Sequence, residues 1–171
     1  MLITEQYKEL NKQLHKDRED YGVGGHKYAR QVQDLARQIG ANTILDYGCG
    51  KRTLEKALGF EIANYDPAIP GCDSDPDPAD LVVCTDVLEH IEPECLDAVL
   101  DDIKRVTLDL LILTVATRPA KKVLADGTNA HKIIQQAAWW LPKIMSRFAL
   151  LNYVGNKDEF FAICKVERVL Q

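Results

Sequence analysis

The stretch Ile44-Leu45-Asp46-Tyr47-Gly48-Cys49-Gly50 sets the architecture. A short β-type run over Asn42–Asp46 ends on an acid and breaks into a glycine-rich turn. Residues 53–58 then read as helix. Gly48 and Gly50 free the backbone for a sharp turn and let a ligand approach the main chain closely.

Downstream, Glu61–Tyr65 reads as a second strand that ends at Asp66. Residues 67–79 carry Pro67, Pro70, Pro76 and Pro78 among several aspartates, which excludes regular structure. Asp80–Thr85 is a continuous apolar strand, the kind buried on both faces of a parallel sheet. Leu96, Val99, Leu100, Ile103 and Val106 form one helical stripe over 93–106, and Leu108–Val115 is the next buried strand. A helix is expected over 133–148, with Trp139, Trp140 and a kink at Pro142. Ala149–Val154 and Glu159–Val166 predict an antiparallel hairpin about Gly155–Asp158.

Upstream, Tyr7, Leu10 and Leu14 give helical spacing over 3–17, and Gly22, Gly24 and Gly25 mark a loop over 20–25. A further helix over 26–39 closes on Gly40, which suits a left-handed C-terminal position. Helix and strand therefore mostly alternate before a final hairpin. That predicts an open α/β sheet, mostly parallel, with an antiparallel strand at or near its edge.

The chain of 171 residues fits one domain, 1–171, with an N-terminal helix and lid-like loop over 1–28 and a core over 29–171. A net charge of −5, without a basic stripe, argues against a nucleic-acid polymer as partner. Five cysteines without a CxxC pair suggest reduced thiols, neither a disulfide framework nor a zinc site. No signal-peptide core and no apolar run of about 20 residues is present. A soluble, cytoplasmic protein is the expectation.

In open α/β sheets, ligands bind beyond the carboxyl ends of the strands. Here those ends are Asp46–Gly50, Asp66-Pro67, Thr85–His90 and Thr114–Thr117, and three of the four carry an acid at the tip. Asp66 follows Asp46 by 20 residues, the usual distance to an acid that accepts hydrogen bonds from a ribose diol.

Three motifs together resemble a family. Ile44–Gly50 looks like the first motif of class I S-adenosylmethionine-dependent methyltransferases, Asn64-Tyr65-Asp66-Pro67 like the acidic second motif, and Asp80–Ile91 like the fourth-strand motif. The resemblance runs from about residue 29 to the C-terminus and implies a Rossmann-like, three-layer αβα fold. It also implies S-adenosylmethionine as cofactor. Asp46, Tyr47, Gly48, Cys49 and Gly50 would hold its methionine end. Asp66 would take the ribose hydroxyls, Pro67 would pack near the adenine, and Thr85, Asp86 and Val87 would line the site beside the methyl group.

Two departures stand out. Arg52 occupies about the place of the family's third glycine, so Lys51 or Arg52 folds over the loop, faces the cofactor carboxylate, or forms a solvated charge pair. That turn also lacks the GxGxxG pattern an NAD-dependent oxidoreductase would need. The span from Asp66 to Asp80 is only 14 residues. The family's usual helix and third strand are then reduced to a loop, with Asp73 or Asp75 as substitutes at the adenine.

The implied activity is methyl transfer to oxygen or nitrogen of a small-molecule acceptor, such as a sugar or other metabolite. Alternatives are methylation of a nucleic acid or protein, and a non-catalytic S-adenosylmethionine-binding module. Candidate acceptor-side groups are Tyr7, Tyr21, His26, Asp86, His90, Arg118, Asn129, His131, Trp139 and Trp140. His131 is first choice as general base, since an imidazole can take a proton near neutral pH; its alternative role is to hold the loop. Asp86 and His90 are further catalytic candidates, and Glu89-His90 reads equally as a helix cap or loop brace.

Overall fold

The computed structural model describes residues 1–167. The elements run α1 (Glu5–Asp17), a 3₁₀ turn (Gly24–Tyr28), α2 (Ala29–Ile39), β1 (Ile44–Tyr47), α3 (Thr53–Leu58), β2 (Ala63–Tyr65), β3 (Ala79–Thr85), α4 (Leu96–Val106), β4 (Thr107–Ala116), α5 (Ala137–Met145), β5 (Ala149–Gly155) and β6 (Glu159–Lys165).

They build a six-stranded sheet in the order β2-β1-β3-β4-β6-β5. β2, β1, β3 and β4 are parallel, and β6 runs antiparallel to both β4 and β5. Each central strand alternates its side chains between two apolar layers. Ile44, Leu81, Val83, Leu110 and Ile112 pack on α2 and α3. Leu45, Val82, Cys84, Leu111 and Leu113 pack on α4 and α5. This is the doubly wound αβα architecture expected from the sequence.

The chain leaves β1 toward β2 and returns to β3 on the other side of β1, so a crevice opens above the β1 and β3 tips. No helix or strand forms between Asp66 and Pro78. The chain instead turns tightly, with Ile69 N donating to Asp66 O and Asp66 N donating to Cys72 O at 2.8 Å. β2 is thereby left as a three-residue edge strand.

Several boundaries differ from expectation. The helix expected over 133–148 spans only Ala137–Met145, because the amides of Lys132 and Ile133 donate to the Glu89 carbonyl instead of a helical turn. The helices expected over 26–39 and 93–106 each open with a 3₁₀ turn. Gly40 closes α2 at φ 64, and its amide donates to the carbonyls of Ala36 and Arg37. All five cysteines are free and buried. Among the described residues no helix is long and apolar enough to cross a membrane.

Candidate active site

One cavity of about 380 Å³ lies over the β1 and β3 tips. It is lined by Asp46, Tyr47, Gly48, Cys49 and Gly50, by Asp66 and Pro67, and by Thr85, Asp86 and Val87. It continues to His90, His131 and Glu89 on the β3–β4 side. The ten motif residues that the resemblance assigns to the cofactor, and all three catalytic candidates, therefore border one space.

The glycine loop is held from below. Gly48 N and Cys49 N both donate to the Tyr65 carbonyl, at 2.7 and 3.0 Å. Gly48 has φ 83, and a Cβ there would collide with the Val87 side chain, so glycine is required. Asp46 is 3% exposed, and none of the described residues donates a hydrogen bond to its carboxylate. Burial, followed by the nearby charges of Asp66 and Glu55, pushes it up to about 7. A carboxylate kept out of water without a partner is matched to a cationic group of a ligand.

Asp66 is also buried, and the protein donates to both of its carboxylate oxygens. One carboxylate oxygen accepts from Gly50 N at 3.1 Å and the other from Ala68 N at 2.9 Å. These bonds fix both oxygens at the β2 tip, where each keeps a second lone pair for a hydroxyl donor. Tyr47 sends its hydroxyl away from the crevice to Asp102 Oδ2 on α4, at 2.8 Å.

The N-terminal segment covers the glycine loop. Lys51 N donates to Gly22 O at 2.9 Å, and a Cβ on Gly50 would lie 2.7 Å from that same oxygen. Lys122 Nζ ties the segment to the far rim through the Asp20 carbonyl at 2.9 Å and its carboxylate at 3.2 Å. His15 lines the cavity, its ring tilted against Tyr21 with centroids 4.5 Å apart, and its Nδ1 is buried without a partner. Nothing in the sequence marked His15. It sits in the last turn of α1, and only the fold-back of that helix carries it there.

On the β3–β4 side, Asp86 adopts φ 57, a left-handed conformation uncommon outside glycine. Thr114 holds it there: Asp86 N donates to Thr114 Oγ1 at 3.0 Å, and that hydroxyl donates to Asp86 Oδ1 at 3.1 Å. His131 gives its Nδ1 proton to the Arg118 carbonyl at 2.6 Å, and its amide donates to Asn129 Oδ1. His90 gives its Nδ1 proton to the Ala130 carbonyl at 2.9 Å. The two rings meet edge to face at 4.7 Å. Burial lowers both histidines, and with His131 beside it His90 falls to about 3. Both are thus neutral near pH 7, with Nε2 as the open acceptor.

Glu89 is fully buried beneath them. Its Oε1 accepts from Ala116 N at 2.9 Å, while Oε2 has no hydrogen-bond partner. Burial and the charge of Asp86 push it up to about 8.

Tyr7, Tyr21, His26 and Arg118 also border the cavity, but Asn129, Trp139, Trp140, Asp73 and Asp75 do not. Asn129 brackets Ala120, accepting from its amide and donating to its carbonyl, and so shapes the loop that carries His131. Trp140 is fully buried in the core under α5. Trp139 is 37% exposed, with Lys143 Nζ 4.6 Å from its ring centroid. Asp73 stays exposed, accepting from Gly71 N, and Asp75 also lies outside the lining.

Neither basic residue faces the cavity. Arg52 takes the left-handed conformation at φ 55 and pairs with Glu55 at 2.9 Å, while Lys51 Nζ reaches Arg18 O. The cofactor-carboxylate role considered for them is not what the structure shows.

A family model described as a methyltransferase domain matches residues 15–155. No curated protein sequence matches the chain. Among solved structures, it resembles the N-methyltransferase NodS of Bradyrhizobium japonicum WM9 in complex with S-adenosyl-L-homocysteine. That match has 14% identity and TM-score 0.66, covering 96% of this chain and 100% of that one. It also resembles the Burkholderia thailandensis 1,6-didemethyltoxoflavin-N1-methyltransferase, at 12% identity and TM-score 0.67, covering 95% and 90%. The magnesium protoporphyrin IX methyltransferase of Synechocystis PCC 6803 matches at 16% identity and TM-score 0.57, covering 85% and 84%. These likenesses establish the shared fold.

Proposed function

The chain belongs to the methyltransferase domain family, and we propose that it transfers a methyl group from S-adenosylmethionine to an oxygen or nitrogen of a small-molecule acceptor, such as a sugar or other metabolite. The observation that carries this reading is the single cavity, bordered at one end by Asp46 and Asp66 and at the other by Asp86, His90 and His131. Its volume falls in the range of small-molecule sites. Two of the three structural relatives carry a small molecule in their names, 1,6-didemethyltoxoflavin and magnesium protoporphyrin IX.

The residues fit the cofactor. The unpartnered Asp46 carboxylate suits its ammonium or sulfonium charge, and the fixed oxygens of Asp66 suit the ribose hydroxyls. Gly48, Cys49 and Gly50 would offer main chain to the methionine end, Tyr47 borders them, and Pro67 flanks the adenine. When bound, S-adenosylmethionine supplies an electrophilic methyl group on a sulfonium.

The chain itself has to position the acceptor, exclude water and relieve the nucleophile of its proton. Thr85, Asp86 and Val87 place a wall beside the transfer site. His131 would take the proton at Nε2, because its Nδ1 proton is committed to the Arg118 carbonyl. His90 would orient the nucleophile from the adjoining face. The N-terminal segment would close the cavity over both ligands.

Calorimetry with S-adenosylmethionine and S-adenosylhomocysteine tests the first half of the proposal, and turnover across a panel of hydroxylated and amino metabolites tests the second. Absence of binding at high micromolar concentration would sink the reading. Binding without turnover on any acceptor would favour a non-catalytic module instead.

A further inference from the structure

We propose that Glu89, His90 and His131 bind a divalent transition-metal cation on the acceptor side of the cavity. One donor atom from each of the three lies within 4.8 Å of the others. Ligand atoms about 2.0–2.2 Å from a common ion stand roughly 3–3.6 Å apart, so side-chain rotations of about an ångström close the site.

Both imidazoles already make the carbonyl hydrogen bond that metal-bound imidazoles commonly make. A carbonyl oxygen can only accept, so the bonds to Arg118 O and Ala130 O place the ring proton on Nδ1 in both residues. A metal-bound histidine commonly donates its other ring N–H to a carbonyl in this way, which fixes the ring and its tautomer. The hydroxyl of Tyr21, 3.3 Å from His90 Nδ1, and Asn11 behind it steady the same ring.

Glu89 supplies the anionic ligand, its carboxyl giving up its proton to solvent as the cation binds. Its side chain has no exposure, Oε1 is anchored on Ala116 N, and Oε2 is unpartnered. A bare carboxylate oxygen in the interior is costly, and a cation within bonding distance removes that cost. Two neutral nitrogens and one carboxylate suit Zn²⁺, Mn²⁺, Fe²⁺ or Co²⁺ better than Ca²⁺ or Mg²⁺, and they leave coordination positions open.

All three residues border the cavity, so the open positions are available to an acceptor. The binding site stands on its own geometry. Its use rests on the methyltransferase reading. A hydroxyl oxygen on such an ion releases its proton to solvent at lower pH than when free. His131 cannot hold the ion and accept the acceptor's proton with the same nitrogen, so in the loaded protein the ion replaces the imidazole base.

The test begins with chelator-treated full-length protein titrated with Co²⁺, followed by visible d–d absorption, and with Zn²⁺ in equilibrium dialysis. One equivalent per chain is expected. Glu89→Gln, which keeps the Ala116 bond, and His131→Ala should each weaken binding by at least about tenfold, with the fold checked by circular dichroism. No binding, or binding that both variants retain unchanged, overturns the proposal. Calorimetry with S-adenosylhomocysteine on the same samples reads the methyltransferase proposal separately: Co²⁺ binding with no cofactor binding would leave the metal site standing and remove the methyltransferase.

Discussion

His131 and Arg118 are joined by a 2.6 Å hydrogen bond from the imidazole Nδ1 to the main-chain carbonyl. The bond ties the end of the loop that follows β4 back to its beginning. It also settles which ring nitrogen is left to face the cavity. His131→Ala should lower turnover on the true acceptor by about 10²–10⁴-fold while S-adenosylhomocysteine affinity stays unchanged. Steady-state kinetics and calorimetry check this. Wild-type turnover in the variant would remove His131 from the chemistry under either the base or the metal reading.

Asp46 predicts a pH-dependent cofactor affinity. Its carboxyl is raised to about 7 by burial and by Asp66 and Glu55, so it is mostly neutral at pH 6 and mostly charged at pH 8. A cationic ligand should therefore bind about tenfold more tightly at pH 8 than at pH 6. Asp46→Asn should abolish that dependence and weaken binding at pH 8.

The same shift has a stability sign. The folded value lies above the unfolded one, so Asp46 costs the ligand-free protein nothing below about pH 4 and progressively more as pH rises to about 7. Asp46→Asn should raise the melting temperature of ligand-free protein at pH 8, with an upper bound of about 4 kcal/mol. No gain at pH 8 would contradict the burial argument.

Asp66→Ala removes two main-chain bonds as well as the ribose acceptor. Gly50 N and Ala68 N lose their partners, at about 1–3 kcal/mol for each amide left buried. Denaturant unfolding should show the stability loss, and calorimetry the loss of nucleoside binding. Adenosine binding that survives the substitution would separate Asp66 from the ribose.

Gly50→Ala tests the cover over the loop. The new Cβ would meet Gly22 O at 2.7 Å, at a residue with φ 49. The expected result is displacement of residues 20–25, a stability loss of about 1–3 kcal/mol, and faster proteolysis within that segment. Unchanged cleavage would show that the segment does not rest on Gly50.

The two tryptophans separate core from site. Trp140→Ala should cost about 3–5 kcal/mol, because the ring is fully buried. Trp139→Ala should leave turnover unchanged, since the ring lies outside the cavity lining. A turnover defect in a stably folded Trp139→Ala protein would place it in the acceptor path.

The residues at the strand tips were legible in the sequence for a physical reason. Asp46, Gly48, Gly50 and Asp66 lie at strand tips, and a parallel sheet places successive tips along one edge whatever the side chains elsewhere. The short link after Asp66 was legible too, because prolines exclude helix and strand locally. Helix lengths were less so: the tertiary bonds from Lys132 N and Ile133 N to Glu89 O outweigh the local pattern over 133–136.

The His90–His131 end of the cavity depended on contacts between distant segments. His15 is brought to Tyr21 by the return of α1, and Glu89 and His90 meet His131 across 42 and 41 residues of chain. No periodicity encodes such meetings.

By itself the sequence determined the alternating fold, the glycine loop and the acids at its strand tips, since these follow from local backbone preference and burial pattern. Only the tertiary structure decided that Arg52 turns outward to Glu55, that Trp140 belongs to the core, and that Glu89, His90 and His131 converge. Those outcomes depend on which side chains share a desolvated space, and packing alone assigns it.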